Sequence, residues 1–417
     1  MAVSISYTTA IFVTGMLITG AANSLLSKYQ DNQCVANCDG PADQRRYFEQ
    51  PVIQTFQMFI GEALCWTIVF GELVYTQYRS PSQPIVAPSE EDEESVDEAD
   101  LLVSSDPNMS LLASNPAGTG TTVGNLNISK RTLDGNKIFG LSIPALCDIC
   151  GTTLMNVGLF FTPVSIYQMT RGALVLFVGL FSVFFLNRRL AIHQWTALGA
   201  VVLGIFIVGL SGTIYAPNTD AGNESEPSRG PNSFLQVAIG VFVIALAQIF
   251  TATQFVYEEH LLRDYHLDSI RVVGWEGIFG FLLTFVIMIA SYVFVGKSES
   301  GRSGYFDIPT GFSQIFANRL ILISSLLIMI SISSFNFFGV SVTQRLSATS
   351  RSTIDTCRTI AIWVISISLG WEQFRVLQLF GFVLVVYGTL LFNGVISPYI
   401  FKQFEYGRVR LADDDNE

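Results

Sequence analysis

Charge is what this sequence has least of. Lys, Arg, Asp and Glu make up 14% of its 417 residues, against 50% hydrophobic residues. Globular domains run nearer a quarter charged, so an ordinary soluble fold is excluded. Histidine is almost missing, with His193, His260 and His266 the full set. All three fall at the ends of apolar runs or between them, which removes histidine-based chemistry at membrane depth and a His/Cys metal cluster. There is no basic patch with interleaved aromatics, hence no expectation of nucleic-acid binding. The paired YD and GxGD signatures of aspartyl intramembrane proteases are also lacking: Asp148 stands in ALCDICG and Asp355 in TIDTCR. No enzyme activity, cofactor or metal is expected. The first apolar run, residues 8–26, has no basic stretch before it and no clear small-residue cleavage site, and reads as a retained span.

What is present is long apolar runs. About ten are long enough to cross a bilayer as helices, which takes ~20 residues. They cover roughly 8–28, 52–75, 138–160, 163–186, 193–211, 234–256, 272–294, 320–342, 353–370 and 376–392. The expected fold class is an all-α polytopic membrane protein. With both termini in the cytosol, thirteen Lys or Arg residues, Arg351 among them, flank the spans on the cytosolic side and eight on the other. That bias favours this orientation.

The net charge of −11 is concentrated in residues 89–100 and in the tail 413–417. The loop 77–136, rich in Pro, Ser, Asn and acid, is expected to be solvated and cytosolic. It contains Asp97-Glu98-Ala99-Asp100-Leu101-Leu102. Asp97, Leu101 and Leu102 resemble an acidic dileucine signal that a sorting adaptor reads for lysosomes or vacuoles. On the lumenal side, Asn223-Glu224-Ser225 is a glycosylation acceptor. Asn108 and Asn127 begin sequons on the cytosolic side, where they stay bare. Cys34 and Cys38 lie in the lumenal loop after the first span, where an oxidising compartment lets them pair with each other or with a partner.

Two arginines break the apolar pattern. Arg171 lies inside VSIYQMTRGALVLFVGLFSVFFL and Arg358 inside ATSRSTIDTCRTIAIWVISISLG. A charge near a span's centre costs roughly 2.5–3.5 kcal/mol on insertion scales, so it faces a bundle interior or a watery cavity. The settings match. Thr162, Ser165 and Gln168 lead to Arg171, and Thr349, Ser352 and Asp355 lead to Arg358, all at one offset of 187 (358 − 171). A repeat with a buried cation in each half points to a transporter. Arg171 lies nine residues past Thr162, about 13 Å along a helix and near mid-depth. Gln168 and Asp355 each precede an arginine by three, on the same helix face.

Other polar residues at membrane depth are Asn23, Glu62, Asp148, Gln248, Gln254, Glu276 and Asn336. Arg171, Arg358, Gln168, Asp355, Asn23 and Asn336 form the candidate solute site, since guanidinium grips carboxylates and similar anions bidentately. Glu62, Asp148 and Glu276 are candidates to carry a coupling proton, as is Asp355. Acids such as Glu62 and Asp148 could instead neutralise Arg171 and lock the bundle. Gly274, Gly277 and Gly280, three apart, mark a groove for close helix approach. Cys147 and Cys150, a C-x-x-C inside a span, read as small buried hydrophobes.

ALCDICGTTLMNVGL, SIYQMTRGALVLFVGLFSVFFLNRRL, LSATSRSTIDTCRTIAIWVISISLGWEQF and LQLFGFVLVVYGTLLFNG together resemble the drug/metabolite transporter superfamily. The resemblance is to the F subfamily of solute carrier family 35, in its member-six branch. It extends over nearly all the expected helices. It implies two five-helix inverted repeats, residues 1–212 and 233–397, joined by a lumenal linker, 213–232, with a cytosolic tail, 398–417. It also implies alternating access and an endomembrane location, lysosomal or vacuolar before Golgi. Asp148, Gln168, Arg171, Asp355 and Arg358 stand where the branch has the same residue types. The acidic cytosolic loop is much longer here. The nucleotide-sugar label of the wider family is not carried over as a substrate. The expected partners are a small solute with proton coupling, membrane lipid, a sorting adaptor and a second copy of the chain. A receptor or scaffold acting through the loop is the alternative.

Overall fold

The computed structural model describes residues 7–38, 41, 45–48, 50–79, 135–162, 164–186, 190–214, 233–265, 267–298, 304, 306–370 and 376–394. Asp97, Leu101, Leu102, Asn223 and the tail lie outside the described residues. Among the described residues the secondary structure is helical apart from one small antiparallel pairing of Cys34–Ala36 with Arg46–Tyr47. The helices are α1 (Tyr7–Asp31), α2 (Pro51–Ala63), α3 (Cys65–Arg79), α4 (Ser142–Phe161), α5 (Val164–Thr170), α6 (Leu174–Leu186), α7 (Ile192–Ile214), α8 (Ser233–Asp264), α9 (Ser269–Ser291), α10 (Ile308–Ala317), α11 (Arg319–Arg345), α12 (Ala348–Ser368) and α13 (Val376–Phe392). The end of α3, from Phe70, belongs to a second unit and is simply helical.

Among the described residues, eight helices are long and apolar enough to cross a membrane, and α13 is a shorter apolar helix. This is an all-α polytopic membrane fold. The α12 helix, which the sequence reading counts as the ninth span, is not among the eight; it carries Arg351, Asp355 and Arg358. Large apolar side chains such as Phe184, Phe206, Phe242, Ile330 and Phe380 are exposed. In a bilayer such a surface meets lipid tails at no cost, whereas in water it would drive association.

The helices pair in a regular way. Helix α1 packs on α11, α2 on α9, α4 on α8 and α7 on α13, with α6 against α8 and α12 against α1. Numbering the spans one to ten, so that α5 and α6 count as the fourth, these pairs are 1–8, 2–7, 3–6, 5–10, 4–6 and 9–1. Exchanging the first five spans with the second five returns the same set.

Glycine sets the closest approaches. A Cβ on Gly204 would lie 2.7 Å from the Gly381 carbonyl oxygen, and one on Gly381 would lie 2.9 Å from that of Gly204. The backbones of α7 and α13 therefore touch, a contact only small residues permit. The groove of α9 is filled as its spacing suggests. Gly274 faces the Trp66 indole, Gly277 the backbone of Glu62 and Ala63, and Gly280 the Phe59 ring.

Candidate solute cavity

The fourth span is not a continuous helix. It runs as α5, then a single 3-10 turn over Arg171–Ala173, then α6. A 3-10 turn inside a helix often marks a functional hinge, and here the break falls on Arg171. Its counterpart at the 187-residue offset differs: α12 is unbroken through Arg358.

Both arginines meet at one carboxylate. Asp355 Oδ1 lies 2.6 Å from Arg358 Nη2, and its Oδ2 lies 3.9 Å from Arg171 Nη2. Arg171 is thus paired by Asp355, not by Glu62 or Asp148. The two cations are not equivalent. The Arg358 side chain is 4% exposed and donates to the Gly20 carbonyl at 3.2 Å, with its guanidinium 4.7 Å from the centre of the Phe335 ring. The Arg171 side chain is 19% exposed and borders a cavity of about 270 Å³. Arg358 is fixed by its surroundings, whereas Arg171 keeps part of its surface on the cavity.

Asn23, Gln168, Tyr167 and Asn156 border the same cavity, with Ile332 and Ile362 as apolar wall. Asn23 Oδ1 and Gln168 Oε1 are buried with no hydrogen-bond partner in the protein. Buried polar atoms are normally satisfied, so these two unpartnered acceptors stand out beside the cavity. At the α1–α2 end of the cavity Gln54 Nε2 donates to Asp31 Oδ1 at 2.6 Å, and behind it the buried Gln30 Nε2 donates to Ser325 Oγ at 2.7 Å. Lys28 also lines this end.

Asn336, Glu62, Asp148 and Glu276 do not line the cavity. They form a second polar layer. The Asn336 amide donates to Glu62 Oε1, and Glu62 is in electrostatic contact with Asp148, Glu258 and Arg351. Glu276 joins the same group. Sequence reasoning missed two of its members. Glu258 lies past residue 256, where the sixth span was expected to end, but α8 continues to Asp264. Arg351 was counted among the cytosolic flanking cations, but it is 1% exposed and bonded to Glu258. The signal available was the polar stretch RLSATSRSTID, whose Arg351 and Asp355 stand at helical spacing with Arg358, three residues beyond it.

Cys34 and Cys38 are joined by a disulfide, while Cys65, Cys147, Cys150 and Cys357 are free thiols.

A polytopic helical bundle with a charged cavity among its spans fits a membrane transporter. Comparison with known proteins gives the family. A family model for nucleotide-sugar transporters matches residues 120–300. The chain is 35% identical over 382 residues to the Schizosaccharomyces pombe protein C12G12.12, covering 92% of this chain and 96% of that one. It is 33% identical over 413 residues to human Solute carrier family 35 member F6, covering 98% and 94%. A more distant relative, Probable magnesium transporter NIPA9 of Arabidopsis thaliana, is 25% identical over 256 residues, 59% of this chain and 67% of its own. The chain belongs to solute carrier family 35, with the member F6 proteins. It is a membrane transporter and not an enzyme.

Proposed function

We propose that the protein is a secondary-active transporter that moves a small polar or charged organic solute across an endomembrane by alternating access. The observation that carries this reading is Arg171, placed at the break in the fourth span and bordering a cavity whose wall holds two unpartnered acceptors. The guanidinium takes the anionic group of the solute, and Asn23 and Gln168 accept from its donors. Arg358 fixes Asp355, which in turn holds Arg171 in place. The set of helix pairs that maps onto itself supports two five-helix repeats of opposite orientation, 1–212 and 233–397, which rock about this site. Glu62, Asp148 and Glu276 are the proposed carriers of a coupling proton, since burial penalises a carboxylate's charge. Asn336, bonded to Glu62, belongs with them. Residence in the lysosome or vacuole, with Asp97, Leu101 and Leu102 read by a sorting adaptor, Asn223 glycosylated and both termini cytosolic, completes the proposal. A homodimer within the membrane is part of it.

The test is uptake into proteoliposomes of a panel of small labelled carboxylates and phosphate esters. Arg171→Ala is expected to cut uptake of the active solute about tenfold or more, the value of a lost charge-assisted hydrogen bond, with the fold intact. Replacing Glu62, Asp148 and Glu276 one at a time by their amides is expected to abolish pH-gradient-driven accumulation in at least one variant while leaving solute exchange. A folded protein that moves no solute of any class favours the scaffold reading instead.

A further inference from the structure

The cavity and the second polar layer lie at opposite ends of the same helices. The cavity is lined by the C-terminal turns of α1, the first turns of α2, and Ile362 and Ser366 near the end of α12. The second layer is built from the other ends: Glu258 in the last two turns of α8, Glu276 in the first half of α9 and Arg351 in the first turn of α12.

At that end the helices are tied together by ion pairs and hydrogen bonds. Arg351 Nη1 bonds Glu258 Oε2, with the two side chains 1% and 0% exposed. The guanidinium lies 3.8 Å from the centre of the Phe255 ring. It is also pressed on Gly339, where a Cβ would come within 2.8 Å of Arg351 Nε. The neighbouring Glu259 accepts from the Ala348 backbone N–H at 2.8 Å, so two carboxylates hold the positive end of α12. Gln344, at the end of α11, ties in the α8–α9 junction: it accepts from Ser269 Oγ and donates to the Leu267 carbonyl, both at 2.9 Å. A buried ion pair is a poor device for stability alone, because an apolar pair of similar volume often serves as well or better. Its use lies in having two definite states, made and broken.

One helix joins the two layers. Arg351, Asp355 and Arg358 stand at i, i+4 and i+7 on a single face of α12, about 10 Å from first to last. A shift of α12 that releases Arg351 from Glu258 necessarily moves the carboxylate that holds Arg171.

We infer that Glu258 and Arg351 are the positioning residues of a gate on the far side of the bundle, whose closed ion pair holds α12 in the arrangement that opens the solute cavity at the other end. The inference rests on the alternating-access reading above. It predicts that breaking the pair opens the far side and closes the cavity together.

Two thiols report the two ends. Cys147 is a buried native thiol in electrostatic contact with Glu258, and Ser27, which lines the cavity, is changed to cysteine. The full chain in nanodiscs is treated with a small water-soluble maleimide, and each site is quantified by peptide mass spectrometry. In the starting protein Ser27→Cys reacts and Cys147 does not. Glu258→Gln or Arg351→Gln should raise the Cys147 rate about tenfold or more and lower the Ser27→Cys rate, as a population shift between two states requires. Arg351→Lys, which keeps the charge, should stay close to the parent. The exchange of Glu258→Arg with Arg351→Glu should restore the parent pattern. Should the glutamine variants not fold, Phe255→Leu weakens the seat of Arg351 with both charges kept and should shift both rates in the same directions.

Unchanged labelling at both sites in a folded variant overturns the gate, as does a rise at both sites together, which is plain loosening. No solute enters this measurement. Its failure leaves the solute site standing, and failure of Arg171-dependent uptake leaves the gate standing.

Discussion

Removing the Asp355 carboxylate leaves two guanidinium groups facing each other with no counter-charge between them. Asp355→Asn is therefore expected to destabilise the protein more than any change to the cavity wall, by about 3–5 kcal/mol, the usual cost of breaking a buried pair from one side. Thermal unfolding in detergent measures it. The two arginines should then separate by role. Arg358→Ala removes the group bonded to Gly20 and packed on Phe335, and should lower the melting temperature while Arg171→Ala scarcely does. Arg171→Lys keeps the charge but gives up the two-pronged grip, so solute affinity should fall with the melting temperature unchanged. That Arg171 and Arg358 face the bundle interior was legible from their cost and their common offset. Which one borders the cavity was not, because both sequences read alike around them. The difference lies in Gly20, Phe335 and the broken turn at Arg171, contacts distant in the chain. Arg351 escaped notice for a related reason. A cation at a span boundary ordinarily snorkels to the interface, and only the tertiary position of Glu258 shows that this one is buried.

At the scale of the helix, positions were well legible and interruptions were not. The long apolar runs gave the spans because backbone polar groups must be satisfied within the helix in lipid. The break after Thr170 has no such signature: Gly172 is the local hint, and its space is taken by Val385 of α13, 2.6 Å from where a Cβ would stand. Close helix contacts offer a sharp test. Gly204→Val places a branched side chain against the Gly381 backbone and is expected to cost about 1–3 kcal/mol as overpacking. Gly199, on the same helix, has open space at its Cβ, so Gly199→Ala should be neutral or slightly stabilising through helix propensity. Detergent melting curves of the two variants decide whether α7 and α13 touch as described. A cost for Gly199→Ala equal to that for Gly204→Val would contradict the contact.

The orientation of the whole molecule turns on a small feature. The Cys34–Cys38 disulfide lies in the segment between Asp31 and Pro51, and the residues on either side of that segment line the cavity mouth. Disulfides persist in oxidising compartments and are rare in the cytosol. The bridge thus supports the proposed topology, in which the cavity faces the lumen and the Glu258–Arg351 layer the cytosol, in accord with the excess of Lys and Arg proposed for the cytosolic side. The excess narrows once Arg351 is withdrawn from it, which makes the disulfide the stronger witness. The expected result is concrete. In intact organelles treated with a membrane-permeant reductant, an impermeant maleimide should leave Cys34 and Cys38 unmodified, because they lie inside. Opening the membrane with mild detergent should then label both, and omitting the reductant should label neither. Labelling of Cys34 and Cys38 in sealed organelles would invert the molecule, turning the open cavity to the cytosol and the acid layer to the lumen, and would reverse the direction in which a proton gradient could drive the solute.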